Sequence, residues 1–173
     1  VYSDGVIELI NVKTYEIDFI FDYLEKEEGN IRAQCLYLDV PVDWNKNSNN
    51  ENKIQIFVKR YFLSGKEENT SHQLWRIAGG GGIPISSLES EAVQIVNHSN
   101  GTISVYAIDK RGVGQSSFLE CPQSIFVNFS ACLPLIQQNQ YRLKHNTITN
   151  IARDLYYVLS IVANRTNLAQ NQR

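Results

Sequence analysis

Two stretches carry residue types from which a reactive site could be built. The first is Arg76–Pro84, RIAGGGGIP, where four consecutive glycines follow an apolar run. Glycine loses more conformational freedom on folding than any other residue, so four together need a local reason. A phosphate-binding Walker loop requires Gly-Lys-Ser/Thr after its spacer, but Gly82 is followed by Ile83 and Pro84, and no G-x-G-x-x-G can be laid across Gly79–Gly82. The run suits a strand-to-helix turn whose bare N–H groups face a site, as an oxyanion hole needs. It equally suits a tight turn in which glycine supplies only positive φ. The second stretch is Tyr106–Ser117, YAIDKRGVGQSS, which joins a strand end to Asp109, Lys110 and Arg111 and to two glycines, Gly112 and Gly114. Alone, that glycine pair suits an ordinary turn after a strand.

Other ingredients of a hydrolytic centre are missing. No G-x-S-x-G occurs, because Gly114-Gln115-Ser116 is followed by Ser117 and Phe118. His72 falls in a polar loop, His98 inside an N-x-S triplet, and His145 just before the last helix. All three read as solvated surface residues, without the nucleophile–base–orienter pattern of a triad. No motif asks for a metal or a cofactor.

The elements that must hold these stretches follow from periodicity. Cys35–Trp44, Lys53–Phe62, Gln73–Ala78 and Ser104–Asp109 read as four strands; the first ends near Pro41 and the third runs into the glycines. Ser86–Val96 reads as a modest helix with Leu88, Ala92, Val93 and Val96 on one side. A longer helix follows, with Ile148, Ile151, Ala152, Leu155, Leu159 and Val162 as its apolar stripe and Arg153, Asp154 and Tyr157 off it. Residues 1–34 form an N-terminal extension in which a short helix around Ile17–Leu24 is favoured over a strand. Two antiparallel strands followed by β-α-β-loop-α give an α/β sheet with helices on its faces.

The 173 residues, 43% hydrophobic and with a net charge of −2, suit one domain with a real core. They give no electrostatic footprint for nucleic acid or an anionic membrane. No apolar run approaches the roughly 20 residues of a membrane span. Five N-x-[ST] triplets, at Asn69, Asn97, Asn100, Asn128 and Asn164, exceed the two or so that chance gives for 17 Asn and 20 Ser plus Thr. Cys121 and Cys132 stand eleven positions apart around a loop, a plausible local disulfide, which leaves Cys35 over. These features favour a secreted or endolysosomal glycoprotein over a cytosolic one.

Taken together, DVPVDW, AGGGGIP, DKRGVGQSSFLEC, SAC and TITNIARDLYYVL resemble, in this order, the tripeptidyl aminopeptidase and proline iminopeptidase group of α/β-hydrolases. The family pattern runs C-x-x-x-x-V-P-x-D-[WY], G-G-P-G, D-x-R-G-x-G-x-S-x-x-x-x-C, A-C, and a helix with A-x-D-L, and the likeness covers about residues 35–163. The resemblance implies the N-terminal part of an α/β-hydrolase domain over 35–173: a mostly parallel sheet with flanking helices and antiparallel first strands. It implies a serine exopeptidase that trims peptide N-termini. Gly79–Gly82 would form the oxyanion turn, with Gly80 and Gly81 as its donors. Asp109, Arg111, Gly112 and Gly114 would support the site, and Cys121 and Cys132 would form the family's disulfide. Gly81 stands where the family has proline, which loosens the turn.

In that family the last helix leads to the nucleophile strand, so the Ser-His-Asp triad is expected from a downstream part of the same polypeptide. A sheet ending at the fourth strand would also leave that strand without a neighbour. The alternative is a catalytically inactive hydrolase-fold glycoprotein used in adhesion or extracellular assembly. The two readings differ in whether Ser, Asp and His follow in that order.

Overall fold

A computed structural model describes residues 14–15, 31–45, 52–66, 72–117 and 132–170. Its sheet contains β1 (Thr14–Tyr15), β2 (Ile31–Pro41), β3 (Lys53–Leu63), β4 (His72–Ile77) and β5 (Ile103–Ile108), in the order β1-β2-β3-β5-β4. The helices are α1 (Glu89–His98), entered through a 3-10 turn at Ile85–Leu88, then α2 (Leu133–Gln138), α3 (Gln140–Lys144) and α4 (Ile148–Gln170).

The sheet is mixed, and mostly antiparallel rather than mostly parallel. The β1–β2, β2–β3 and β3–β5 ladders are antiparallel, and only β4–β5 is parallel. The cause is connectivity. Parallel neighbours need a crossover, usually a helix, and among the described paired strands only β4 and β5 are joined through one, α1. Among the described strands the last is also not the edge: β5 lies between β3 and β4, and the outer position falls to β4.

Alternation along the strands divides two cores between the faces. Ile31, Ala33 and Cys35 of β2, Phe57 and Tyr61 of β3, and Val105 and Ala107 of β5 pack with Ala92, Val93 and Val96 of α1. The intervening residues Leu38, Val40, Ile54, Ile56, Val58, Tyr106 and Ile108 pack with Val158 and Val162 of α4. The period of two along each strand therefore places α1 and α4 on opposite faces. β5, an interior strand between β3 and β4, is buried on both sides along most of its length, as a strand covered by helices on both faces should be.

Several expected boundaries move. β2 begins at Ile31, ahead of Cys35, and Thr14–Tyr15 pairs with it as a strand, while the rest of the extension's ambiguous segment lies outside the described residues. α2 and α3 occupy part of what reads as loop, because helices of six and five residues are too short to show an apolar period. On α4 the buried stripe is Asp154, Val158 and Val162, with Ile151 and Leu155 partly buried, whereas Ile148 is 86% exposed and Ala152 also faces solvent. No helix among the described residues is long and apolar enough to cross a membrane.

Candidate functional site

The C-terminal ends of the parallel pair β4 and β5 bring the two reactive-looking stretches together. The glycine run leaves β4 and leads through Ile83 and Pro84 into the 3-10 turn, while Asp109, Lys110 and Arg111 leave β5. Asp109 is 2% exposed. Its Oδ1 accepts the Ile85 N–H at 2.8 Å, and its Oδ2 accepts the Gln115 N–H at 2.9 Å. The carboxylate thus ties the chain entering α1 to the turn following β5. Gly114 is the reason it fits: with φ +57°, any Cβ there would stand 2.2 Å from Asp109 Oδ2. Gly112, at φ +76°, donates its N–H to the Ser116 carbonyl at 3.1 Å and closes the turn.

Ser116, the serine nearest in sequence to a nucleophile pattern, is fully buried. Its hydroxyl donates to the Asp109 carbonyl and accepts the Phe57 N–H, each at 2.7 Å, which makes it a brace between β5 and β3.

Arg111 turns to the other face and is equally buried. Its Nε and Nη2 grip Asp154 Oδ2 and Oδ1 at 2.7 Å each. Nη1 donates to the carbonyls of Val42 (2.7 Å) and His145 (3.0 Å), and Nη2 also to that of Pro41 (3.1 Å). A guanidinium has five N–H groups, so these five acceptors satisfy it completely. Trp44 Nε1 donates to Asp154 Oδ1 at 2.8 Å. Burial pushes the Asp154 carboxyl above the ordinary aspartate range, opposed by the hydrogen bonds and charge of Arg111 and by the Trp44 N–H. Arg111 therefore gathers the VPVDW, DKRG and ARDL segments at one point. Asp154 is not off the buried face of α4; it sits within it, at i+3 from Ile151 and i−4 from Val158.

The glycines are exposed from Gly79 to Gly82. Gly80 is left-handed at φ +69°, and an added Cβ at Gly79, Gly81 or Gly82 would meet nothing within 4 Å. Among the described residues, none of the four amides donates a hydrogen bond. Lys110 Nζ instead approaches the run from below, donating to the carbonyls of Ala78 (2.8 Å) and Gly80. The depression beside it, lined by Ile77, Ile108, Lys110, Arg111, Ile151 and Leu155, holds about 10 Å³, room for one water-sized group.

The histidine side chains do not join this place; only the backbone carbonyl of His145 does, through Arg111. His72 is not in a loop; it opens β4 and is exposed. His98 ends α1, its Nδ1 2.7 Å from the Gln94 carbonyl. His145 is no solvated residue either: its side chain is 15% exposed, with Nδ1 3.7 Å from Asp43 Oδ1 and its ring 4.7 Å from that of Tyr141. No group of three or more His, Cys, Asp or Glu among the described residues could hold a metal ion.

Cys35 is a free buried thiol, and burial first of all raises its pKa. Cys132 is buried and disulfide-bonded, while Cys121 lies outside the described residues. Of the glycosylation candidates, Asn100 is exposed in the turn after α1, Asn97 is partly buried in that helix, and Asn164 lies within α4; Asn69 and Asn128 lie outside the described residues.

No protein-family model matches the chain, and no curated protein sequence does. Sequence reasoning missed Lys110 and Trp44 as members of this arrangement. Asp154 could have been found, since Ile151, Asp154, Leu155, Val158 and Val162 complete a helical stripe with one charge inside it.

Proposed function

We propose that this chain is the N-terminal part of an α/β-hydrolase of the serine exopeptidase type, secreted or endolysosomal, in which the glycine run is one side of an oxyanion hole. The observation that carries the reading is the convergence on Arg111 of segments that resemble that family. They lie far apart in sequence, yet one buried guanidinium holds carbonyls of the first and the carboxylate of the last. The position of the glycines adds support. In open α/β sheets, ligands bind outside the carboxyl ends of the strands, and the run leaves the carboxyl end of β4 with its amides exposed.

The chemistry divides between this chain and a downstream part. A downstream serine would attack the scissile carbonyl of a peptide bound by its free N-terminus, and a downstream histidine, oriented by an aspartate, would move the proton. This chain's glycine N–H groups would stabilise the charge that develops on the carbonyl oxygen. The resemblance points to Gly80 and Gly81 as the donors. Asp109, Gly112 and Gly114 would support the site by shaping the turn after β5, and Arg111 by holding the segments behind it. A disulfide from Cys132 to Cys121, the pairing the resemblance implies, and an N-glycan on exposed Asn100 would fit passage through an oxidising compartment.

The experiment is fluorophosphonate labelling of the full polypeptide, with the modified residue mapped by mass spectrometry. Labelling of a serine in a downstream G-x-S-x-G is the expected result. An unlabelled, folded polypeptide would favour the inactive adhesion or assembly role and reject the peptidase reading.

A further inference from the structure

The four glycines alone do not fix which way their amides point: a Cβ added at Gly79, Gly81 or Gly82 would meet nothing within 4 Å, so side-chain packing does not hold the run. The constraint comes from a neighbouring strand end. Lys110 Nζ donates to the carbonyl oxygens of Ala78, at 2.8 Å, and of Gly80. The chain has no cis peptide among the described residues. In a trans peptide unit the C=O and the N–H that share it point in opposite directions. Holding the Ala78 carbonyl therefore turns the Gly79 N–H away from the ammonium, and holding the Gly80 carbonyl does the same to the Gly81 N–H. Both residues are exposed, and neither amide donates within the described residues. Gly80 between them requires its left-handed φ of +69°, which reverses the chain so that two carbonyls can reach one ammonium. The far end of the loop is pinned as well, by Asp109 Oδ1 on the Ile85 N–H.

We propose that Lys110 is the positioning residue of the glycine turn, holding two carbonyls inward so that the N–H groups of Gly79 and Gly81 face outward, each able to serve as this chain's donor to an oxyanion. This rests on the hydrolase reading for its purpose, and it moves the donor assignment from Gly80 and Gly81 to Gly79 and Gly81. It also gives a function to a lysine that the surrounding motif does not specify. A stiffening contact from outside the run restrains the turn while keeping the Gly81 N–H, which a proline at position 81 would lack.

The test uses the full polypeptide with glycine-selective 15N labelling and the variants Lys110→Met and Lys110→Arg. Amide order parameters of Gly79 and Gly81 should be near 0.85 in the wild type, fall below about 0.6 in K110M, and recover in K110R. With a peptide p-nitroanilide or acyl ester, kcat should fall about 10- to 100-fold in K110M, less than outright loss of an oxyanion donor costs, with KM within about threefold and K110R restoring the rate. Unchanged order parameters in K110M overturn the proposal whatever the activity. Loosened glycines with an unchanged kcat overturn it too, since the turn would then be held for no catalytic purpose. If the wild type turns over no acyl substrate while K110M still loosens the turn, the clamp stands and the hydrolase reading falls.

Discussion

Replacing Arg111 by Met removes five N–H donors at once and leaves the Asp154 carboxylate buried with only the Trp44 N–H among its observed donors. Breaking a buried ion pair from one side costs about 3–5 kcal/mol, because the remaining charge is uncompensated. The carbonyls of Pro41 and Val42 lose the donor seen here as well, so the upper part of that range is expected. Asp154→Leu should cost a similar amount by leaving the guanidinium unpaired. The double variant R111M/D154L removes both charges and should be about 2–3 kcal/mol better than the sum of the single losses. Urea unfolding of the four proteins closes the cycle. The side chains are 2% and 3% exposed, so the coupling should be nearly the same in 0.05 and 0.5 M salt. Additive single losses, an R111M loss under about 1 kcal/mol, or a coupling that disappears in salt would refute the latch.

Gly114→Ala should lose about 4–6 kcal/mol, combining a left-handed penalty with displacement of the Asp109 carboxylate from two backbone amides. Gly82→Ala, with open space around the new methyl, serves as its control in the same urea melts, and equal midpoints for the two variants contradict the steric account. Within the glycine run, Gly80→Ala should destabilise by about 1–2 kcal/mol through its positive φ. Gly81→Ala, in contrast, should be neutral or stabilise by up to about 1 kcal/mol by restricting the unfolded chain, and calorimetry ranks the two. Alkaline pH supplies a separate check. Burial, the largest cause in each case, raises Cys35 above its ordinary 9.0 and Tyr61 and Tyr106 above 10.0. A native state that holds these protons longer than the unfolded chain has their stabilisation in full below those ordinary values. It loses stability as pH rises towards the folded values, by up to about 1.4 kcal/mol per pH unit for each group. Equal urea midpoints at pH 8 and pH 10.5 would show that these groups are not buried as described.

What could be read from residues alone follows how local the signal is. The strands at 53–62 and 104–109 and the helix near 86–96 announce themselves through periods of two and 3.6, and each lies within a residue or a few of its observed place. The sheet's direction does not announce itself in this way. Val105 and Tyr106 look the same to a pattern whether β5 runs parallel or antiparallel to β3; the difference lies in which strand it pairs with. Site residues divide similarly. Gly114 is visible as a glycine one residue from another, but its need to be glycine comes from Asp109, five positions earlier, folding back to within 2.2 Å of its missing Cβ. Asp154 and Arg111 are 43 residues apart, and a charge on a helix reads as solvated until its partner is known. His145 misleads for the same reason: its acidic neighbour, Asp43, comes from the loop after β2.

Three consecutive residues at the end of β5 bind three different parts of the molecule. Asp109 holds the entrance to α1, Lys110 holds the turn leaving β4, and Arg111 holds α4 and the chain leaving β2. Central strands suit this task because both flanking strands and both helical layers lie within one side chain's reach of their ends. The arrangement separates stability from geometry. Asp109 and Arg111 are buried and make charge-assisted bonds to groups that would otherwise be unsatisfied, so their loss is felt as unfolding. Lys110 is only partly buried, and of its two acceptors the Gly80 carbonyl lies in an exposed turn that water could also satisfy, while the other belongs to buried Ala78. Losing it should leave the fold nearly intact while freeing two peptide planes. Of the three, it is therefore the residue at which the orientation of the glycine amides can be changed without dismantling the sheet that presents them.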